Sequence, residues 1–141
     1  MGNKYYSSLD ICNNKKFNIH KSRLRVWIVN GYVSPETEVL GGGNGGSKYT
    51  AFDICCIETF RKLVDTGISR KRSGEIINNL RDITRDVFID LATVVYRDGL
   101  ENPDVYPNYS EHYFTFDVNA IYVLNFKKTR EFVFDAFGIT K

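Results

Sequence analysis

Apolar residues recur every three or four positions through most of the chain and begin to alternate with polar ones only near its end. The serine pair at residues 7 and 8 suits a helix N-cap, and Leu9, Ile11 and Cys12 follow it. A short helix is therefore expected at about residues 7–14. "NNKKFN" reads as a polar turn. In "HKSRLRVWIVNGYV", Leu24, Trp27 and Ile28 keep helical spacing while Lys21, Arg23 and Arg25 occupy other sides. His20 stands at or near the start of this second helix. Gly31 suits a helix-ending position, and Pro35 opposes continuation. Two short helices with a tight connection, the second opening on a basic turn, have the grammar of a helix-turn-helix.

The pattern resumes after a glycine-rich stretch. "TAFDICCIETFRKLVDTGIS" predicts a helix capped by Thr50 or Ser47, with Phe52, Cys56, Phe60 and Leu63 on one face and Gly67 at its end. A further helix opens near Ser69 or Arg70. Its apolar positions are Ile76, Ile77, Leu80, Ile83, Val87, Leu91 and Val94, with a candidate break at residues 82–84. Residues 97–112 read as a loop, being rich in Pro, Gly, Asn and Asp. "HYFTFDV" alternates and is aromatic, which predicts a strand, and "IYVLNF" predicts a second. "KKTREFVFDAFG" predicts an amphipathic helix ending at Gly138. The expected fold class is α+β.

Five glycines crowd the start of "VLGGGNGGSKYT", residues 39–50. A domain-separating linker would leave some forty residues with two half-apolar helices, too little to bury a core. A phosphate cradle needs a second glycine just before the lysine and a hydroxyl just after it. Ser47 and Tyr49 occupy those positions around Lys48. A hairpin tip fits better, with residues 39–40 and 48–49 as two short strands, because glycine turns a chain sharply and adds no bulk. A thin hairpin beside a basic helix-turn-helix is a wing.

Charge sharpens this picture. The 141 residues carry a net charge of only +2. Residues 1–81 hold thirteen Lys/Arg against seven Asp/Glu, whereas residues 82–141 hold six against ten. The first half suits a polyanion and the second would be repelled by one. No apolar run has the roughly 18–20 residues of a membrane span, and no apolar signal region opens the chain, so no membrane partner is expected. Gly2 would suit myristoylation, but Tyr6 stands where that motif has Ser or Thr. Cys12, Cys55 and Cys56 lack metal-ligand spacing and are expected as reduced thiols in or near a core. Neither a metal nor a cofactor is expected, and a cytoplasmic, nucleoid-associated protein is.

"SRLRVWIVNGYVSPE", "GSKYTAFDI" and "FRKLVDTGISRKRSGEII" together resemble the mercury-resistance regulator (MerR) family of winged-helix DNA-binding proteins. Leu24, Arg25, Trp27, Gly31, Pro35, Tyr49, Asp53, Leu63, Gly67 and Ile76 sit in its pattern. The resemblance covers about residues 6–80. It implies double-stranded DNA as partner and transcription regulation as function. Lys21, Ser22 and Arg23 would reach base edges or flanking phosphates in the major groove, and Arg25 would bind phosphate. Lys48 and Tyr49 would act from the wing, and Arg70, Lys71 and Arg72 from the start of the fourth helix. Family members usually continue into a long antiparallel coiled coil. Here the apolar-periodic stretch ends near Tyr96 and strand-like sequence follows.

Two domains are expected: a winged-helix DNA-binding domain at residues 5–80 and a strand-and-helix extension at 81–141. The extension would supply homodimerisation, sensing of a small-molecule or protein effector, or partner contact. Two other readings share these features. One is an architectural protein similar to the excisionases, which bends DNA without regulating a promoter. The other is a protein-interaction module on a winged-helix scaffold. Tyr106, Tyr109, Tyr113, Phe114, Phe116 and Tyr122 could stack on single-stranded bases, but acidic neighbours favour packing or a protein interface. Ser, Asp and His form no local catalytic motif, so no enzyme is expected.

Overall fold

The computed structural model describes residues 4–35, 47–84, 93–97, 104–106 and 121–140. Those residues are rich in helix, with five helices and three short strands among them: α1 (Ser8–Asn13), α2 (Lys21–Val29), α3 (Ala51–Asp65), α4 (Arg70–Thr84), β1 (Thr93–Arg97), β2 (Asp104–Tyr106), β3 (Ile121–Asn125) and α5 (Phe126–Phe137). Ile11, Leu24, Phe60, Leu80 and Phe126, one from each helix, belong to a single buried cluster.

Local chemistry sets the helix starts. Ser7 and Asp10 form a reciprocal capping box on α1, and Thr50 and Asp53 form another on α3. His20 begins α2 by accepting the Ser22 amide at its Nδ1, 3.1 Å away, so its role there is structural. Asn125 accepts the Lys128 amide at 3.0 Å and opens α5 directly from β3. Gly31 (φ +74°) and Gly67 (φ +101°) follow α2 and α3 in left-handed conformations, as their places in the sequence predict.

Helix α3 is the centre. Residues 52–60 are all buried, including Asp53, Glu58 and Thr59. Each of these polar groups has a partner. Asp53 accepts the Thr50 amide at 2.9 Å and lies 2.8 Å from Arg81 of α4. Thr59 donates to the Cys55 carbonyl at 2.8 Å. Glu58 pairs with Arg61, whose guanidinium donates to the carbonyls of Phe17 and Asn18 at 2.8 and 2.9 Å and lies over the Phe17 ring. Arg61 thus ties α3 to the α1–α2 turn, where Asn18 takes a left-handed conformation (φ +54°) that asparagine tolerates.

Helix α5 closes the same turn from another side. Asn14 accepts the Phe17 amide at 2.9 Å and donates through Nδ2 to the Ala136 carbonyl at 2.8 Å. Phe17 packs on Phe132 and Phe137, and Tyr6 meets Phe137 edge-on. Lys62 of α3 donates to Thr129 of α5 at 3.2 Å. Helix α4 approaches the segment after α2 closely at Gly74, where a Cβ would lie 2.9 Å from Tyr32 Cδ1 and 3.3 Å from its Cα. The Tyr32 ring stacks on Phe60, which also meets Trp27 edge-on.

The strands form one antiparallel sheet in the order β2-β1-β3. Thr93 faces Tyr106 and Asn125, and Val94 faces Val105 and Leu124. Two expectations are corrected here. Val94 continues the helical period of α4 in the sequence but lies in β1, because Thr93–Tyr96 are β-branched or aromatic and find strand partners far along the chain. Residues 104–106, expected within a loop, pair with β1 as β2. The expected strand at residues 112–118, the outgoing wing strand at 39–40, and Val87 and Leu91 lie outside the described residues. Tyr49 pairs with Tyr6 in an isolated antiparallel bridge, both amide–carbonyl bonds being 2.8 Å.

Cys55 and Cys56 are fully buried, Cys12 partly so, and all three are free thiols. Burial, assisted by the neighbouring Asp53 charge, pushes the Cys56 thiol up to about 12 against the opposing pull of Arg81, and burial raises Cys55 well above its ordinary value. Three measurements test this core. Asp53→Ala leaves the largely covered Arg81 guanidinium without its carboxylate, so the urea midpoint, read by Trp27 fluorescence, should report a loss of up to about 3–5 kcal/mol. Alkaline pH should also destabilise the fold. Unfolded thiols ionise from roughly pH 8.5 upward, while the folded chain keeps the Cys56 proton until about 12. Stability is complete below that window and falls through it by up to about 1.4 kcal/mol per pH unit per thiol. At pH 8 a thiol reagent should label Cys12 and reach Cys55 and Cys56 only after unfolding.

Candidate nucleic-acid interface

Helix α2 divides into two sides. Leu24 and Trp27 are buried against the core, while Lys21, Ser22, Arg23, Arg25, Val26 and Val29 are exposed. Ser22, Arg25, Val26 and Val29 follow the spacing i, i+3, i+4, i+7, so they share the outward side. Ser22 holds its hydroxyl 2.7 Å from His20 Nδ1, beside the helix start.

Arg23 leaves α2 on its flank. It lies over the Trp27 ring at 4.7 Å and donates to Asp65 at the end of α3 at 3.3 Å. An open groove of about 380 Å³ runs beside it, lined by Ser22, Arg23, Val26, Trp27, Val64 and Arg70. This groove brings Ser22 and Arg23 of α2 together with Arg70 of α4, which lie far apart in sequence. At the start of α4, Ser69 Oγ accepts the Arg72 amide at 3.1 Å, and Arg72 pairs with Glu75 at 3.2 Å. Lys71 beside it is exposed. Among the described residues no ion pair engages Lys21, Arg25, Arg70 or Lys71, so their charges face solvent.

Lys48 and Tyr49 part company. Lys48 is exposed, with its ammonium 5.8 Å from the Tyr5 ring. Tyr49 corrects the expected assignment, because its side chain is fully buried and its hydroxyl sits 3.0 Å from Ser8 Oγ. The bridge to Tyr6 turns it inward, so it anchors the segment and cannot touch an external partner.

Asp65, Val26 and Val29 are not among the residues singled out from the sequence. Asp65 places a carboxylate beside Arg23 of the candidate surface. Val26 is 43% exposed and Val29 75%. Both stand off the buried stripe of a short helix, and that position is the signal the sequence offers for them.

Among the described residues no helix is long and apolar enough to cross a membrane, and no cluster of His, Cys, Asp or Glu could hold a metal ion. The chain matches no protein-family model and no curated protein. The geometry of this surface therefore carries the functional argument.

Asp65→Asn tests whether the surface meets polyanions. The Arg23–Asp65 pair is largely exposed, so stability should change by less than about 1 kcal/mol. Removing the carboxylate should nevertheless raise the salt concentration needed to elute the protein from a heparin column. Unchanged or earlier elution would count against a polyanion surface here.

Proposed function

We propose that this chain binds double-stranded DNA in a sequence-directed way, as a winged helix-turn-helix protein acting in transcription regulation in the cytoplasm, at the nucleoid. One observation carries the reading. The α1–α2 turn is held from both α3 and α5, while the basic outward side of α2 is left uncovered by the described residues. A helix about 10–12 Å across fits a major groove about 12 Å wide. A rigid mount with an exposed basic helix has the form that groove docking requires.

In this reading α2 enters the major groove with Ser22 toward base edges, and Arg25, which shares that outward side, reaches base edges in place of the phosphate role that the resemblance implies. Lys21 and Arg23, at its flanks, meet phosphates. Arg70 and Lys71 hold the backbone from the start of α4, and Lys48 holds it from the wing. Arg72 is shared with Glu75 and contributes less. No chemistry on the DNA is needed. The C-terminal region would supply homodimerisation or effector sensing.

Selection of the full chain against a random duplex library, followed by salt titration, tests the proposal. An enriched motif is expected, with a log–log salt slope corresponding to at least about five phosphates. Lys71→Gln should weaken binding to all sequences alike and lower that slope by about one, whereas Arg25→Gln should relax the motif itself. Absence of binding at low salt overturns the reading. Strong bending of the selected duplex without response from a neighbouring promoter would assign the architectural role instead.

A further inference from the structure

The outward side of α2 contains an unexpected pair for a basic helix: two branched aliphatic side chains left in water. Ser22, Val26 and Val29 lie within about 60° of one another at 3.6 residues per turn, opposite Leu24 and Trp27. Val26 forms part of the groove beside Arg23 and Arg70, and Val29 follows one turn of helix further. Neither valine adds to the core, and each costs free energy while hydrated.

Base edges in the major groove present hydrogen-bonding groups and one apolar group, the C5-methyl of thymine. Cations accompany the valines: Arg25 shares their side of α2, Arg23 and Arg70 line the groove with Val26, and Lys21 is exposed in the first turn of the same helix. That charge suits a polyanion and disfavours an ordinary apolar protein partner, whose contact would have to desolvate those cations. The i, i+3, i+4, i+7 spacing of Ser22, Arg25, Val26 and Val29 is the one by which a helix offers side chains to successive base pairs.

We infer that Val26 and Val29 read thymine methyl groups in the major groove, so that the target site carries thymine opposite this part of α2. The inference rests on the DNA-binding reading and adds the base it selects. The valines would discriminate while the arginines and lysines supply the affinity.

The test changes DNA and protein in turn. In the selected duplex, each thymine is replaced by deoxyuridine, which removes the methyl and keeps the hydrogen-bonding pattern. At one or two positions the wild-type chain should bind about fourfold more weakly, the value of one buried methyl group. Val26→Ala and Val29→Ala should weaken binding to the thymine site and abolish the thymine–uracil difference, each at its own position. The salt slope should not change. Both side chains are exposed, so the variants should fold, as helical circular dichroism and Trp27 fluorescence can verify. Equal binding of thymine and uracil at every position overturns the inference while leaving DNA binding intact. So does a difference that survives in the double variant. Loss of a protein partner in the valine variants, with DNA selectivity unchanged, assigns the pair to a protein interface and overturns it too. Absence of duplex binding at low salt removes both the inference and its parent reading.

Discussion

Residues 52–60 of α3 are all buried, so for two and a half turns this helix has no side facing water. Such a helix must be covered on all sides, and the other elements are the cover. Trp27 and Tyr32, at and just after α2, meet it at Phe60, α4 pairs with it through Arg81, and α5 packs along it beside Phe52. The constraint also explains the buried charges. Asp53 and Glu58 lie in the covered segment, where an unpaired carboxylate would cost several kcal/mol. Each consequently fixes the direction of a neighbour, Asp53 that of α4 and Glu58, through Arg61, that of the α1–α2 turn.

The exposed surface is a by-product of that arrangement. Once Trp27 is committed to Phe60, the rest of α2 is oriented, and Ser22, Arg25, Val26 and Val29 must point outward. Arg23 lies on the ring that makes the commitment and reaches Asp65 from there. Core packing and the candidate interface therefore share one aromatic residue. A change at Trp27 would disturb both, whereas changes at Lys21 or Lys71 would leave the fold alone.

The helices were legible in the sequence because their signals are local. Ser7, Thr50 and His20 act within three residues of themselves, and Gly31 and Gly67 mark ends by their own backbone conformation. The sheet was less legible. Val94 fits a helical period as well as a strand, and its partners, Val105 and Leu124, stand 11 and 30 residues away. Tyr49 misled for a similar reason: a tyrosine beside a lysine on a polar segment looks exposed until Tyr6, 43 residues earlier, turns it inward. At the candidate site the cations stood out by type. The groove that joins Arg23 to Arg70, and the pairing of Arg23 with Asp65, depend on how α2, α3 and α4 meet, which no local pattern encodes.

Asn14 binds a carbonyl 122 positions downstream of it. On a ribosome adding roughly 5–20 residues per second, about 6–24 seconds separate the two ends of that bond. During the interval Phe17 lacks its aromatic neighbours from α5, and the turn that mounts α2 is held from α3 alone. The turn that presents α2 is thus among the last parts of the described fold to be secured, although its own residues are among the first to be made.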